Sequence, residues 1–278
     1  MMRPLRARRG FTLIEMTIAM VIVAIIGASL TKIMMSQMRY FQMQSAQKSA
    51  RSISRGTLNL LTKELRMLEA TGGVVSATNA KLVVNVPYAF GIACTGSTVS
   101  LLPVDSLTYA QAKIGGYAWK DTSAAGAYTY VATTTAPGAG TATTCSTAPV
   151  SISTVTNGKV ITLSPAPPAG AVTGSPVFLY ETITYEFKAS TAVSGATALW
   201  RTVTGGSANE LAAPFDTSAR FRYYSLDSPT SQITPPAAAN IRGIDLQLDA
   251  LSETQVAGRP APEASKIRTS VFFRNRIQ

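Results

Sequence analysis

The segment from Phe11 to Leu30 reads FTLIEMTIAMVIVAIIGASL and decides how the rest of the chain is organised. A helix needs about 20 mostly apolar residues to cross a hydrocarbon core of about 30 Å, and this segment has that length. Glu15 is its only charged residue. A charge at the bilayer centre costs about 2.5–3.5 kcal/mol on insertion scales, so an ionisable side chain here indicates a function and a partner. The alternative is that Glu15 extends its carboxylate to the nearby interface.

Basic residues flank the apolar segment unevenly. Only Lys32 and Arg39 follow it closely, whereas four arginines precede it in residues 1–10. These arginines are Arg3, Arg6, Arg8 and Arg9. The asymmetry predicts a single crossing of the inner membrane, with a cytoplasmic N-terminus and an extracytoplasmic remainder. A secretory signal peptide would end in a small-residue cleavage site after the apolar stretch, but residues 34–52 continue in helix-forming residues.

One long helix is predicted from Phe11 to about Ala70. No proline occurs between Pro4 and Pro87, and Gly72 is the first strong stop signal. At 1.5 Å per residue such a helix spans about 90 Å, so its second half, residues 31–71, must stand outside the membrane.

A leucine stripe marks one face of this second half. It consists of Leu58, Leu61, Leu65 and Leu68. The spacing of three and four residues indicates a face that packs against the following domain. A coiled-coil seam between chains is the alternative, which the short pattern and the interruption by Gly56 disfavour.

Composition argues against an enzyme. The chain of 278 residues has a net charge of +11 and no histidine. Histidine is the commonest general base and zinc ligand, and it activates most serine and cysteine nucleophiles. We therefore predict a non-enzymatic protein with no cofactor and no metal site. Cys94 and Cys145 are its two cysteines, and outside the cytoplasm they are predicted to form one disulfide; the alternative is two buried free thiols.

Residues 72–176 and 177–278 are predicted to form an antiparallel β domain, which makes the fold class α+β. In the first part, rich in Thr, Ala and Gly, strands are predicted at 81–86, 97–104, 127–134, 151–155 and 159–163. This part is either an insert or the beginning of the domain. In the second part, strands are predicted at 177–188, 199–203, 220–226, 243–250 and 267–275, with clear alternation at Ile183, Tyr185 and Phe187 and at Ile244, Leu246 and Leu248.

Two groups of charged residues near the C-terminus could either bind a ligand or form solvent-exposed strand surfaces. Asp245 and Asp249 could offer oxygen ligands to calcium, but no calcium-binding loop surrounds them, so we predict a solvent-facing strand surface. Arg268, Arg274 and Arg276 could contact phosphates of DNA. No recognised binding module accompanies them, so we expect a solvated strand face and no nucleic-acid partner.

The basic leader, Gly10 and the following Phe-Thr-Leu-Ile-Glu resemble the processing motif of type IV pilins and type II secretion pseudopilins. The resemblance implies that prepilin peptidase removes residues 1–10 by cutting between Gly10 and Phe11 and then methylates the Phe11 amine. It also implies that Glu15 pairs with the N-terminal amine of a neighbouring subunit during assembly. Many major pilins have a proline in the middle of this helix, where Lys32 stands here, so the resemblance does not extend to their helix kink.

The strand order after Val177 resembles the larger W-type minor pilins and J-type minor pseudopilins. This implies a subunit of a type IV pilus or secretion pseudopilus, at the tip or in initiation. Its expected partners are other pilin or pseudopilin subunits, the inner-membrane assembly platform and the membrane. It would later reach the periplasm or the cell surface as part of the filament. The alternative is a filament-borne adhesin or DNA-uptake subunit that uses residues 88–176.

Overall fold

The structure, a computed structural model, describes residues 10–94, 96–120, 127–140, 158–168 and 170–273. It confirms the α+β class, with one long helix followed by a large antiparallel sheet. Helix α1 spans Leu13–Leu65 and a short helix α2 spans Ser106–Gln111. The strands are β1 (Val74–Ala77), β2 (Lys81–Ala93), β3 (Thr98–Leu101), β4 (Gly116–Lys120), β5 (Tyr128–Ala132), β6 (Gly138–Ala139), β7 (Lys159–Thr162), β8 (Pro176–Ala189), β9 (Thr197–Val203), β10 (Ala208–Phe215), β11 (Arg220–Ser225), β12 (Ile241–Leu251) and β13 (Ala264–Phe272).

Helix α1 is continuous through Gly56 and ends at Leu65, earlier than the predicted end near Ala70. The backbone N–H groups of Met67 and Leu68 bond to carbonyls three residues back, at 3.1 and 3.3 Å. These tighter turns close the helix and carry Leu68 into the core before the chain enters β1.

The predicted packing of the leucine stripe against the domain is confirmed. Leu61, Leu65 and Leu68 are buried among side chains of the sheet, and Leu58 packs against them. The buried face continues towards the N-terminus and includes Ala46, Ala50, Ser54 and Thr57. It lies mainly on β12 and β13, so within the described residues the leucines are covered by their own chain. The α1 face that a coiled coil would need is therefore occupied.

We expect Leu61→Ala to lower the free energy of unfolding of the full-length chain in detergent by about 2–5 kcal/mol, because it opens a cavity in the core. Leu60→Ala is the matched control, since Leu60 is 37% exposed and Leu61 is 0% exposed. Urea denaturation followed by tryptophan fluorescence measures both. Equal losses in the two variants would contradict the assigned packing.

One sheet connects the thirteen strands of the described residues. Its main path runs β11-β12-β10-β9-β8-β2-β3-β7-β6, with β1 beside β2, β13 beside β12 and the hairpin β4-β5 attached to β8. All pairings are antiparallel. The predicted strand at 151–155 lies outside the described residues, whereas β1, β4, β6 and β10 were not predicted from the sequence.

Strands β2 and β8 form the centre of the sheet and connect two cores. They pair from Lys81 opposite Glu186 to Ile92 opposite Pro176, with an irregularity between Pro87 and Ala89. One half of each strand contributes to the core beneath α1, and the other half contributes to a second core that contains Tyr117 and Trp119. The bulge shifts the alternation of β2 by one residue, which keeps its apolar side chains on the same face as those of β8.

An ion-pair group joins α1 to the sheet where the two cores meet. Arg201 Nη2 of β9 lies 3.3 Å from Glu64 Oε1 of α1 and 4.0 Å from Glu181 Oε2 of β8. Burial raises the pKa of Glu64, and the Arg201 guanidinium partly opposes that shift. Arg201 therefore neutralises a helix carboxylate that the docked helix holds away from water.

The prediction that Asp245 and Asp249 face solvent is wrong. They are 4% and 5% exposed. Asp245 accepts a hydrogen bond from Ser231 Oγ at 2.7 Å and lies 3.4 Å from Arg268 Nε, while Asp249 accepts one from Ser218 Oγ at 2.6 Å. Loop residues that precede β11 and β12 supply these hydroxyls and cover the strand. Arg268 keeps a half-exposed side chain, and Arg274 and Arg276 lie outside the described residues.

Candidate processing and assembly site

Gly10 lies in exposed, non-helical chain just before α1. A Cβ atom placed on Gly10 would meet no heavy atom within 4 Å, and its φ lies outside the left-handed region that favours glycine. The fold of this chain therefore gives no reason for glycine at this position. A requirement for glycine here would have to come from another protein that contacts it. Residues 1–9 lie outside the described residues.

Thr12 and Glu15 form a capping box at the start of α1. The Glu15 N–H donates to Thr12 Oγ1 at 3.3 Å, and the Thr12 N–H donates to Glu15 Oε2 at 3.4 Å. Two helix-terminal N–H groups are thereby satisfied, and the carboxylate lies at the positive end of the helix. Sequence reasoning missed the role of Thr12, although the pattern T-x-x-E before an apolar run is a known signal for it.

The capping box also locates the carboxylate relative to the predicted new N-terminus. Glu15 contacts the backbone N–H of Thr12, the residue directly after Phe11. Phe11 is 80% exposed, so the side chain beside the predicted cleavage position is open to other molecules. Cleavage after Gly10 would create an ammonium group close to this carboxylate. The carboxylate could then pair with its own amine or with that of an adjacent chain.

The first part of α1 has no protein cover. All its residues up to Gln42 are exposed, and the first buried residue is Ala46. This uncovered length of 30 residues, from Leu13 to Gln42, corresponds to about 45 Å. By length and composition it is long and apolar enough to span a membrane. The uncovered helix is thus longer than a hydrocarbon core of about 30 Å is thick, and as a membrane anchor it would leave about ten residues between the membrane and the β domain.

Hydroxyl side chains in the apolar segment are satisfied within the helix. Thr17 Oγ1, Ser29 Oγ and Thr31 Oγ1 each donate to a carbonyl oxygen three or four residues earlier, at 2.9 Å. Such bonds remove unpaired polar groups from a lipid-facing surface. Helix α1 also passes Lys32 without a break. This segment can therefore contact lipid or other helices along its full length.

Cys94 is buried beside Ile92 and Val160 and is not a free thiol. Its predicted partner, Cys145, lies outside the described residues. The pairing stays a prediction.

A comparison with protein-family models identifies the prokaryotic N-terminal methylation motif at residues 5–31. The match covers part of the predicted leader, the predicted cleavage position, the capping box and the apolar helix, and it leaves the β domain unmatched. No curated protein and no solved structure matches the chain significantly. Together with the uncovered apolar helix, the motif indicates a type IV pilin-like or pseudopilin-like substrate of prepilin peptidase that assembles with other pilin subunits.

Proposed function

We propose that this chain is a minor pilin or pseudopilin, a non-enzymatic structural subunit of a type IV pilus or a secretion pseudopilus. The observation that carries the proposal is the uncovered apolar helix that begins within the methylation motif, directly after the predicted cleavage position. A helix of this kind needs apolar surroundings both before and after assembly. The membrane supplies them before assembly, and the helices of other subunits supply them in a filament.

Processing and assembly follow from the residues at the helix start. Prepilin peptidase cuts between Gly10 and Phe11 on the cytoplasmic side and methylates the Phe11 amine. The Glu15 carboxylate then pairs with the amine of a neighbouring subunit as the helices pack. Both charges are costly when unpaired in apolar surroundings, so their pairing sets the axial register of one helix against the next. The β domain remains outside the inner membrane.

A position at the tip or in initiation is supported by the resemblance of residues 177–278 to W-type minor pilins and J-type minor pseudopilins. The size of the domain adds to this support, because the sheet extends well beyond the part that covers α1. The second core and the hairpin β4-β5 lie in that extension. A bulky subunit is most easily accommodated where no further subunit has to stack above it.

We expect quantitative mass spectrometry of sheared filaments to detect this chain at less than about a tenth of the most abundant pilin, with methylated Phe11 as its N-terminal residue. The low ratio is expected because a tip holds few subunits, whereas a shaft holds many. The membrane fraction of the same cells provides the control for expression. A ratio near one to one would refute the minor role but leave the pilin assignment intact. An N-terminus still at Met1 in cells with active prepilin peptidase would refute both.

An adhesin role is the second candidate, and an aromatic group at the sheet surface favours it. Phe90 is half-exposed and its ring lies tilted against that of Phe178, at 5.9 Å between ring centroids, and the Tyr128 ring lies tilted against the same ring at 4.9 Å. Partly exposed rings of this kind offer an apolar aromatic surface to a ligand. Since β2 also forms the centre of the sheet, such a ligand would bind to the folded domain rather than to a separable insert.

A further inference from the structure

Helix α1 carries charge of one sign over most of its length. From Met16 to Lys63 the sequence contains no aspartate or glutamate but six cations. These are Lys32, Arg39, Lys48, Arg51, Arg55 and Lys63. Exposed helices commonly intersperse both signs, since oppositely charged pairs three or four residues apart stabilise them. A single sign over so long a stretch suggests that the compensating charges lie on another molecule.

Three of these cations form a basic face, defined here as Lys48, Arg51 and Arg55. Their spacing of three and four residues places them on one side of α1. At about 100° per residue, this side lies about 130° around the helix from the buried stripe. All three residues are exposed, and within the described residues none of them has an ion-pair partner. The basic face therefore points away from the β domain.

Within the described residues, no carboxylate of the chain forms an ion pair with the basic face. Two described carboxylates have no ion pair or hydrogen bond, those of Asp227 and Glu253, and Glu253 shares a cavity with Ser52 and Gly56 on the flank of α1. The others are engaged, for example Glu64 with Arg201 and Glu263 with Arg259. A second copy has no carboxylate on its own α1 between Met16 and Lys63, so no face of that part of its helix can neutralise the basic face. Like charges in a shared interface cost several-fold in affinity, so this face disfavours a partner of identical sequence.

Lipid headgroups are also too far away to neutralise the basic face. Lys48 follows Leu30 by 18 residues, which corresponds to about 27 Å along the helix. The headgroup layer on each side of the hydrocarbon core is only about 5–8 Å thick. The basic face thus stands beyond the membrane surface, at the level where the β domain begins to cover the opposite side of α1.

We propose that the basic face docks onto an acidic helix face of a different pilin-type subunit, and that it selects this unlike neighbour over a second copy of the chain. The inference rests on the proposed function, because it requires that helices of different subunits pack side by side. Charge complementarity steers the encounter and suppresses wrong partners. The face would accordingly limit this chain to few copies per filament.

The first test uses a reversed-charge chain as the acidic partner. Full-length chains carrying Ser52→Cys beside the basic face are produced together in one membrane. One chain is otherwise native and the other also carries Lys48→Glu, Arg51→Glu and Arg55→Glu. We expect mixed pairs to form disulfide cross-links at least about fivefold more than native–native pairs at low salt, with loss of the preference at high salt. At equal amounts of the two chains random pairing gives mixed pairs twice as often as native–native pairs, so an excess of twofold or less would overturn the proposal.

A triple glutamine variant at the same positions is the matched control. It removes the charges but keeps helix-forming side chains, so its cross-linking with the native chain should be intermediate. A chain without the Ser52→Cys substitution controls for reaction of Cys94. Binding of a duplex DNA probe to the native chain, with loss of binding in the glutamine variant, would assign the face to nucleic acid and overturn the proposal.

The second test identifies the natural neighbour. The Ser52→Cys chain is cross-linked in its own membrane with a bifunctional thiol–amine reagent, and the linked chain is sequenced. We expect a different chain with its own methylation motif and with aspartate or glutamate residues at the linked helix level. A second copy of this chain, or a neighbour without acidic residues there, would refute the inference. If the inference is refuted in this way but Phe11 is methylated and the chain enters filaments, the proposed function still holds. If the chain is not processed at all, the proposed function itself is refuted.

Discussion

Glu15→Gln is expected to leave leader cleavage and membrane insertion unchanged and to lower incorporation into filaments by more than about a hundredfold. Glutamine at the third helical position can still close the capping box with Thr12, so the helix start is preserved. The variant loses only the charge, and the amine of the neighbouring subunit stays unpaired in an apolar bundle. Loss of one partner of a buried pair costs about 3–5 kcal/mol, which corresponds to the expected decrease. The ratio of filament-bound to membrane-bound protein measures it.

Glu15→Ala separates the two roles of the carboxylate. Alanine removes the charge and the back-bond to Thr12, so it should add a helix-start defect of about 1 kcal/mol to the loss of pairing. If Glu15→Gln assembles like the native chain while Glu15→Ala does not, the carboxylate serves to cap the helix and the pairing hypothesis is wrong. If both variants assemble normally, Glu15 is a residue that extends to the membrane interface without a further role.

Gly10→Val is expected to reduce the processed fraction to below about a hundredth of the native value. The branched side chain would stand beside the predicted cleaved bond, and a small displacement of a scissile bond can cost a peptidase about a hundredfold in rate. The structure predicts no folding defect, because a side chain at residue 10 would enter open space. Intact-mass spectrometry of membrane protein should find residues 1–10 retained and Phe11 unmethylated.

Gly27→Ala provides the control within the same helix. Its added methyl group also meets open space, yet it is far from the predicted cleavage position. It should be cut and methylated as the native chain is. Normal processing of Gly10→Val would show that prepilin peptidase does not require glycine here. An equal processing defect in both variants would instead point to impaired membrane insertion.

The elements predicted correctly from the sequence are those with a strong local pattern. The apolar segment and the leucine stripe gave the long helix and its buried face. The alternation at Ile183, Tyr185 and Phe187 gave a strand whose side chains are buried as predicted. Strand β10 was missed because Ala212, Ala213 and Pro214 have low strand propensity. Its place in the sheet comes from pairing with β9, which a local pattern does not reveal.

The buried aspartates illustrate the same limit. Asp245 alternates with Ile244 and Leu246, so the pattern places it on the face away from the core, as observed. Whether that face meets water depends on residues distant in the sequence. Ser231 from the preceding loop and Arg268 from β13 cover and neutralise it. The alternation therefore predicted the direction of the side chain but not its burial.

The sequence by itself determined the processing motif, the membrane-spanning length of α1, its one-sided charge and the face that packs on the domain. These properties depend on residues within a few turns of one another, where helix geometry alone sets the neighbours. Only the tertiary structure decided that β2 lies beside β8, that Arg201 neutralises Glu64 and that the basic face stays uncovered. Each of these depends on contacts between residues far apart in the chain, because they form only when the sheet assembles and α1 docks onto it.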